Sequence, residues 1–419
     1  MSVATEEIHD TQDARSRATV RGLAKEYLAK LRGGDVGSLP AILGLVALVI
    51  AFSALRPETF TKAFNFGNLI QQSAGVTIIA MGMVFVLLLG EIDLSAGYTA
   101  GTSAGVMCLL LIEHGWPVAL AILACLVTGA VIGTCIGLIV SRLGIPSFVV
   151  TLAAFLGLQG VMLTIIGEKG SIDSGEFVAK LNSENLPVWL GWVVAVVLVA
   201  LYAAATFRAN RRRRRHGLNS QPTLLWALKS GFLAVIVGLI VFYLSVERSP
   251  NAHIKSIKGV PIALLILVGL TLVLGALLSR TKWGSHVYAV GGNAEAARRA
   301  GINVPMIQLT CFMLSSTVAA VGGIMLVSYS GGVNNVTGGT TILLYAVGAA
   351  VIGGTSLFGG KGRVVDALIG GTVVAVIANG MGLLNQPDSR KYIVTGLVLL
   401  VAASVDAISR RRAAATGRV

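Results

Sequence analysis

The amino-acid sequence predicts an all-α, polytopic membrane protein of about 12 transmembrane helices, with the N- and C-termini both cytoplasmic. Three observations carry this reading. Of 419 residues, 55% are hydrophobic and 12% charged, with a mean hydropathy of +0.81; a soluble chain this apolar lacks the polar groups to cover its surface. Apolar runs long enough to cross a hydrocarbon core of about 30 Å recur along the chain, and lipid forces them to be helical because each must satisfy its own backbone groups. Lys and Arg sort into alternate loops, 23 on one side and 9 on the other, with Lys229 inside a run. The richer side is cytoplasmic.

In chain order, residues 1–38 are a polar cytoplasmic tail, too long and hydrophilic for the n-region of a signal peptide. Residues 39–408 form the transmembrane domain. Its apolar runs lie near 39–55, 68–89, 95–112, 116–140, 147–166, 187–207, 223–246, 260–279, 306–328, 342–358, 364–384 and 391–408. The third and tenth are rich in Gly, Ser and Thr and are expected to be broken or partly re-entrant. Residues 409–419 are a basic cytoplasmic tail. The run Arg211–Arg215 anchors its loop inside. Lys229, Asp366 and Asp406 stand near inner ends of runs, from which a charged side chain can snorkel to the interface. No run carries a charge near its centre, where one would cost about 2.5–3.5 kcal/mol on insertion scales. Gly129, Gly133 and Gly137 repeat at helical spacing, a ridge that lets a neighbouring backbone approach closely.

Several function classes are excluded. The net charge of +14 follows from the loop bias, so no nucleic acid is implied. Cys108, Cys125, Cys135 and Cys311 all lie in apolar runs and imply packing, not a disulfide framework. The five His residues have no metal-ligand spacing. No phosphate-binding loop is present, since Gly359-Gly360-Lys361-Gly362 lacks the upstream spacing and the Ser/Thr after Lys. Catalysis within this chain is not expected, and any energy source lies elsewhere.

The largest inner polar insertion, 280–305, holds a short helix signal. Asn293 can cap it, Glu295 suits its N-terminal end, Arg298 and Arg299 its C-terminal end, and Gly301 its stop. Such a helix is about two turns long and marginal alone, so it needs something to lean on. Glu91-Ile92-Asp93-Leu94-Ser95 interrupts two apolar runs, and Asp93 or Ser95 can cap the restarting helix. A broken helix also exposes polar backbone to a water-filled path. Gln71, Gln72, Gln159 and Asn379 are uncharged hydrogen-bonding groups inside runs. With Asp93 and Ser95 they are the candidates for lining such a path, the alternative being pairing between helices. The outer loop 167–186, with Glu168, Asp173, Glu176 and Glu184, is either a solvated loop or a surface that meets an extracytoplasmic protein.

Three stretches resemble the sugar permeases of ATP-binding-cassette importers, in the ribose/galactose/xylose branch. They are Gly90-Glu-Ile-Asp-Leu-Ser-Ala-Gly97, Tyr288-Ala-Val-Gly-Gly-Asn-Ala-Glu-Ala-Ala-Arg-Arg-Ala-Gly-Ile-Asn303 and Val351-Ile-Gly-Gly-Thr-Ser-Leu-Phe-Gly-Gly-Lys-Gly-Arg363. The similarity covers roughly residues 65–165 and 260–400, and the longer D-xylose permeases are the most similar. The resemblance implies a multi-pass subunit of a bacterial plasma (inner) membrane importer, working as a homodimer. It implies cytoplasmic ATP-binding subunits and an extracytoplasmic sugar-binding protein as partners. The chain itself would need no cofactor, ATP being used by a partner. By resemblance, residues 288–303 hold a coupling helix in which Asn293, Glu295, Ala296, Ala297, Arg298 and Gly301 meet the ATPase. The family often has Arg where this chain has Ser285, and Ser where it has Ala300. The rival reading is a secondary, ion-coupled sugar transporter, which calls for an ionisable residue at mid-membrane.

Overall fold

The computed structural model describes residues 37–216, 222–249, 251, 253 and 256–415, with the side chains of 405, 406 and 409–415 left undescribed. The tail 1–36, the end of the C-terminal tail and the Asp406 side chain therefore lie outside the described residues. Each of the twelve apolar runs has its own helix. Nine helices among the described residues are long and apolar enough to cross a membrane. Two more, α1 (Leu39–Leu55) and one near 340–353, are shorter, and the last, Asp388–Ala415, ends in the basic tail.

The larger unit comprises 37–184 and 261–406. At its centre lie α3 (Ala63–Leu88), α4 (Ala96–Cys108), α13 (Val304–Ser330) and α15 (Val364–Leu383). Around them are α5 (Val118–Leu143), α6 (Ser147–Ile166) and α10 (Ile262–Arg280). The mostly buried α3 is almost wholly apolar from Ala74 to Leu88, as expected of a helix segment enclosed by others. The predicted glycine ridge of α5 lies on α13. A Cβ at Gly129, Gly133 or Gly137 would stand 2.7 Å from Ser316 O, 2.5 Å from Phe312 O or 3.0 Å from Leu309 Cα. Backbone-on-backbone packing of this kind is how helices associate where burial from water supplies no drive.

The loops fall into two sets, called inner and outer after the side the Lys and Arg bias assigns them. In the inner set, Gly360 N–H bonds Leu88 O (2.8 Å), Ile92 N–H bonds Ser147 Oγ (3.2 Å), Gln308 Nε2 bonds Glu91 Oε1 (3.0 Å) and Arg363 Nη2 bonds Ser38 Oγ (3.1 Å). In the outer set, Lys169 pairs with Glu113 (2.5 Å), and the ribbon of β1 (Ser171–Asp173) and β2 (Gly332–Asn334) is antiparallel, with Ile172 opposite Val333. This alternation is what successive crossings demand.

Of the two weak runs, the tenth is short: α14 (Thr340–Gly353) has 14 residues, about 20 Å at 1.5 Å per residue and less than a full crossing. The third, against expectation, is not interrupted, because α4 runs on through a π-helical turn at Leu109–Glu113 to make 18 continuous residues. Ala100 O lies 2.1 Å from where a Cβ on Gly323 would be. Gly323 is nineteen positions, about 28 Å, along α13 from Val304. The first turn of α4 thus packs about three-quarters of the way along α13. The start of α14 is reached through the turn at Gly338. The two helix starts meet, with Gly338 O 2.2 Å from a Cβ position on Gly97.

The outer loop 167–186 is not simply solvated. It carries α7 (Glu176–Ser183), and Ile172, Val178 and Asn182 are buried. Glu168, Asp173, Glu176 and Glu184 stay exposed. Asp366, expected to snorkel, is instead 3% exposed. It caps α15, accepting Arg363 N–H at 2.8 Å and pairing with Arg363 Nη2 at 2.9 Å. Bonding of the first turn's orphan donors explains why it turns inward.

The smaller unit contains α8 (Val188–Arg215) and α9 (Thr223–Ser245), a helical hairpin followed by a well-bonded loop. Glu247 gathers the backbone N–H groups of Arg248, Ser249 and Ile257 at 2.9–3.0 Å and the Ser256 hydroxyl at 2.6 Å. These bonds, the Ser256 hydroxyl first, push its carboxyl down to about 2. A depressed carboxylate stabilises above its unfolded value and loses that contribution as the pH falls towards the folded one. Protection of the Ser249 and Ile257 amides from hydrogen exchange is therefore expected to hold at pH 6 and to fade between about 4.5 and 2. Glu247→Gln should remove the pH dependence, and its persistence there would assign it to another group.

Candidate functional site

The three motif stretches, distant in sequence, meet at the inner end of α3. Helix α11 (Lys282–Gly292) ends against Leu88, and a Cβ on Gly291 would stand 1.8 Å from Leu88 O and 3.0 Å from Gly360 N. Gly90, at φ +77°, turns the chain beside Phe358 O. Tyr288 donates its hydroxyl to Gly362 O at 2.7 Å. Burial pushes that hydroxyl above its usual value and keeps it a donor. Trp283 Nε1 bonds Thr310 Oγ1 at 2.9 Å and ties the start of α11 to α13.

Beyond Gly291 the chain turns into α12 (Ala294–Arg299), six residues long. The expected cap and stop are present. Asn293 Oδ1 accepts Ala296 N–H at 2.9 Å. Gly301, at φ +85°, closes the helix, with Ile302 N–H on Ala297 O and Gly301 N–H on Arg298 O, both 3.0 Å. This left-handed closure satisfies two of the last carbonyls. Ala297 is buried among core residues and pins the helix. Asn293, Glu295, Ala296, Arg298 and Arg299 are exposed, with Glu295 reaching Arg298 (3.3 Å) and Arg299 (3.2 Å). Exposed pairs of this kind contribute little to stability. The helix therefore presents a small, charged, solvent-facing surface fixed to the motif junction beneath it.

A second polar region lies where α4 and α14 meet. Asp93 is fully buried and accepts Ser95 N–H at 2.9 Å and Ser95 O–H at 2.6 Å through Oδ1. Ser95 holds the cap position of α4 without a side-chain cap bond, and Asp93 braces it from two residues upstream. Asp93 Oδ2 has no partner in the structure. The sequence places Asp93 in an inner loop; the structure keeps it there, next to Ile92 whose N–H bonds Ser147 Oγ at the start of α6, and buries it completely.

The other path candidates are dispersed. Gln72 Oε1 is buried without a partner. The carbonyl of Gln71 accepts Asn182 Nδ2 at 3.1 Å. Gln159 lies half-buried on α6. Asn379 is committed to a reciprocal amide pair with Asn65 at 2.9 and 3.0 Å, which joins α15 to α3. The sequence reading missed Thr99 and Ser103 on α4 and Ser315 on α13, which are fully buried with unpartnered hydroxyls. The signal for the first two was available, since they stand four apart and share one helix face.

A family model described as "Branched-chain amino acid transport system / permease component" matches residues 65–403. Among curated proteins, the xylose transport system permease protein XylH of Escherichia coli (strain K12) is 32% identical over 88% of this chain and 92% of its own. The ribose import permease protein RbsC of the same strain is 32% identical over 93% and 98%. The fructose import permease protein FrcC of Rhizobium meliloti is 28% identical over 90% and 88%. No solved structure matches.

Proposed function

This chain belongs to the family of branched-chain amino acid transport system permease components, and from that premise we propose that it is the membrane subunit of an ATP-driven monosaccharide importer in a bacterial inner membrane. The observation that carries the proposal is the junction at Leu88, Gly291 and Gly360, which fixes the exposed α12 to the inner end of the central helix α3. A cytoplasmic ATPase gripping α12 through Glu295, Arg298 and the small residues beside them would move α3 directly. Sugar, delivered from outside by a binding protein, would pass between the two copies of a homodimer, with Gln71, Gln72, Asp93, Ser95 and Gln159 as polar contacts. Asn379 supports the path through its pairing with Asn65 and not by facing the sugar. D-xylose is the favoured substrate, because xylose permeases are among the relatives and share the chain's length. Uncharged partners suit a neutral sugar better than an amino-acid zwitterion, which calls for paired charges.

A second reading is ion-coupled sugar transport, favoured by the fully buried Asp93 with its unpartnered Oδ2. One reconstitution separates the two. Proteoliposomes holding the chain, its ATP-binding subunits and its binding protein should take up xylose only with ATP. The chain alone under a proton gradient should take up none, and uptake there would overturn the proposal. Glu295→Lys should abolish co-purification with the ATP-binding subunits while membrane insertion persists. Unchanged co-purification would remove α12 from the contact.

A further inference from the structure

From the smaller unit we infer a site for the headgroup of an anionic phospholipid, between α8 and α9 at their inner ends. A cavity of about 210 Å³ opens there, lined by Thr206, Asn210, Arg213, Trp226, Lys229 and Ser230. Two cations thus line one small, largely apolar-walled space. Ser230, 9% exposed, lines it with a hydroxyl that has no partner in the structure. The walls are held by Trp226, whose Nε1 bonds Ala203 O (3.2 Å) and Thr206 Oγ1 (3.1 Å) and whose ring lies 5.2 Å from that of Phe207.

The chemistry of the lining selects the ligand. Guanidinium and ammonium groups with hydroxyl and amide donors suit a phosphodiester. The site sits where the apolar helices give way to Arg211–Arg215, the level at which lipid phosphates lie. Exposed Leu201, Leu228 and Phe232 on the flanks suit acyl chains. Basic pockets between membrane helices on the cytoplasmic side bind such headgroups. The proposal concerns this helical hairpin alone and is independent of the transported substrate.

The probe is the full chain in phosphatidylcholine nanodiscs doped with either brominated phosphatidylglycerol or brominated phosphatidylcholine. The readout is the quenching of Trp226, taken as the difference between the native chain and Trp226→Phe. Brominated phosphatidylglycerol is expected to reach half-maximal quenching at a mole fraction at least fivefold lower than brominated phosphatidylcholine. Arg213→Gln with Lys229→Gln should bring the two half-maximal mole fractions level, a loss of up to about 30-fold with each cation near the surface at its usual worth. Ser230→Ala, which leaves both charges and the helix contacts in place, should weaken it severalfold. Equal quenching by the two lipids, or a preference unchanged in both variants, overturns the inference. Relief of the quenching by millimolar inorganic phosphate would assign the cavity to a free anion and overturn it as well.

Discussion

Gly291→Ala is expected to lower thermal stability by roughly 3–5 kcal/mol and to cut ATP-dependent sugar uptake at least tenfold. The added Cβ would stand 1.8 Å from Leu88 O, where ordinary contact begins near 3.4 Å. The obstacle is backbone on both sides, so no rotamer change relieves it. Helix α11 and the end of α3 would separate by well over 1 Å, and the Gly360 N–H bond to Leu88 O would break. Overpacking costs about 1–3 kcal/mol, and a buried acceptor left without its donor about 1–3 more. The neighbouring residue is the control, because a Cβ on Gly292 meets nothing within 4 Å. Thermal melts of Gly291→Ala and Gly292→Ala in the same detergent decide the matter, and equal melting temperatures would show that the junction is not tightly closed.

Asp93→Ala is expected to destabilise by about 2–4 kcal/mol, while Asp93→Asn costs no more than about 1.5. The alanine leaves the N–H and O–H of Ser95 buried without acceptors, each at about 1–3 kcal/mol. Asparagine keeps one carbonyl oxygen where Oδ1 stands. The order of the two variants in urea or thermal unfolding is the test. If alanine proves as mild as asparagine, the turn before α4 holds without its brace. The same pair bears on the ion-coupled reading, since sugar uptake that survives Asp93→Asn does not depend on a titrating carboxyl there.

The fold was largely legible because lipid leaves few choices. Each apolar run became a helix, and of the two weak runs the tenth is the short one while the third continues through a π-helical turn. The ridge Gly129–Gly133–Gly137 and the short helix from Asn293 to Gly301 were readable because their signals are local: spacing on one face, a cap, a stop. Burial was not readable. Residues 91–95 look like any short inner loop, and only the packing of the segments around them encloses Asp93 completely. Long-range pairings were equally hidden. Nothing in residues 171–173 announces a partner at 332–334, and nothing near Asn379 announces Asn65, because such matches depend on two segments at once. The inward turn of Asp366 follows from the bond it makes to Arg363, which outweighs access to water.

The short length of α14 has a consequence for the lipid the protein lives in. A helix that runs from face to face feels any change in bilayer thickness at both ends, and tilts or strains to match it. At about 20 Å, α14 begins against protein, at Gly97 and Tyr98 of α4, instead of at a bilayer face. Thickening or thinning of the bilayer would load the long helices first and reach the junction of α4 with α14 only through them.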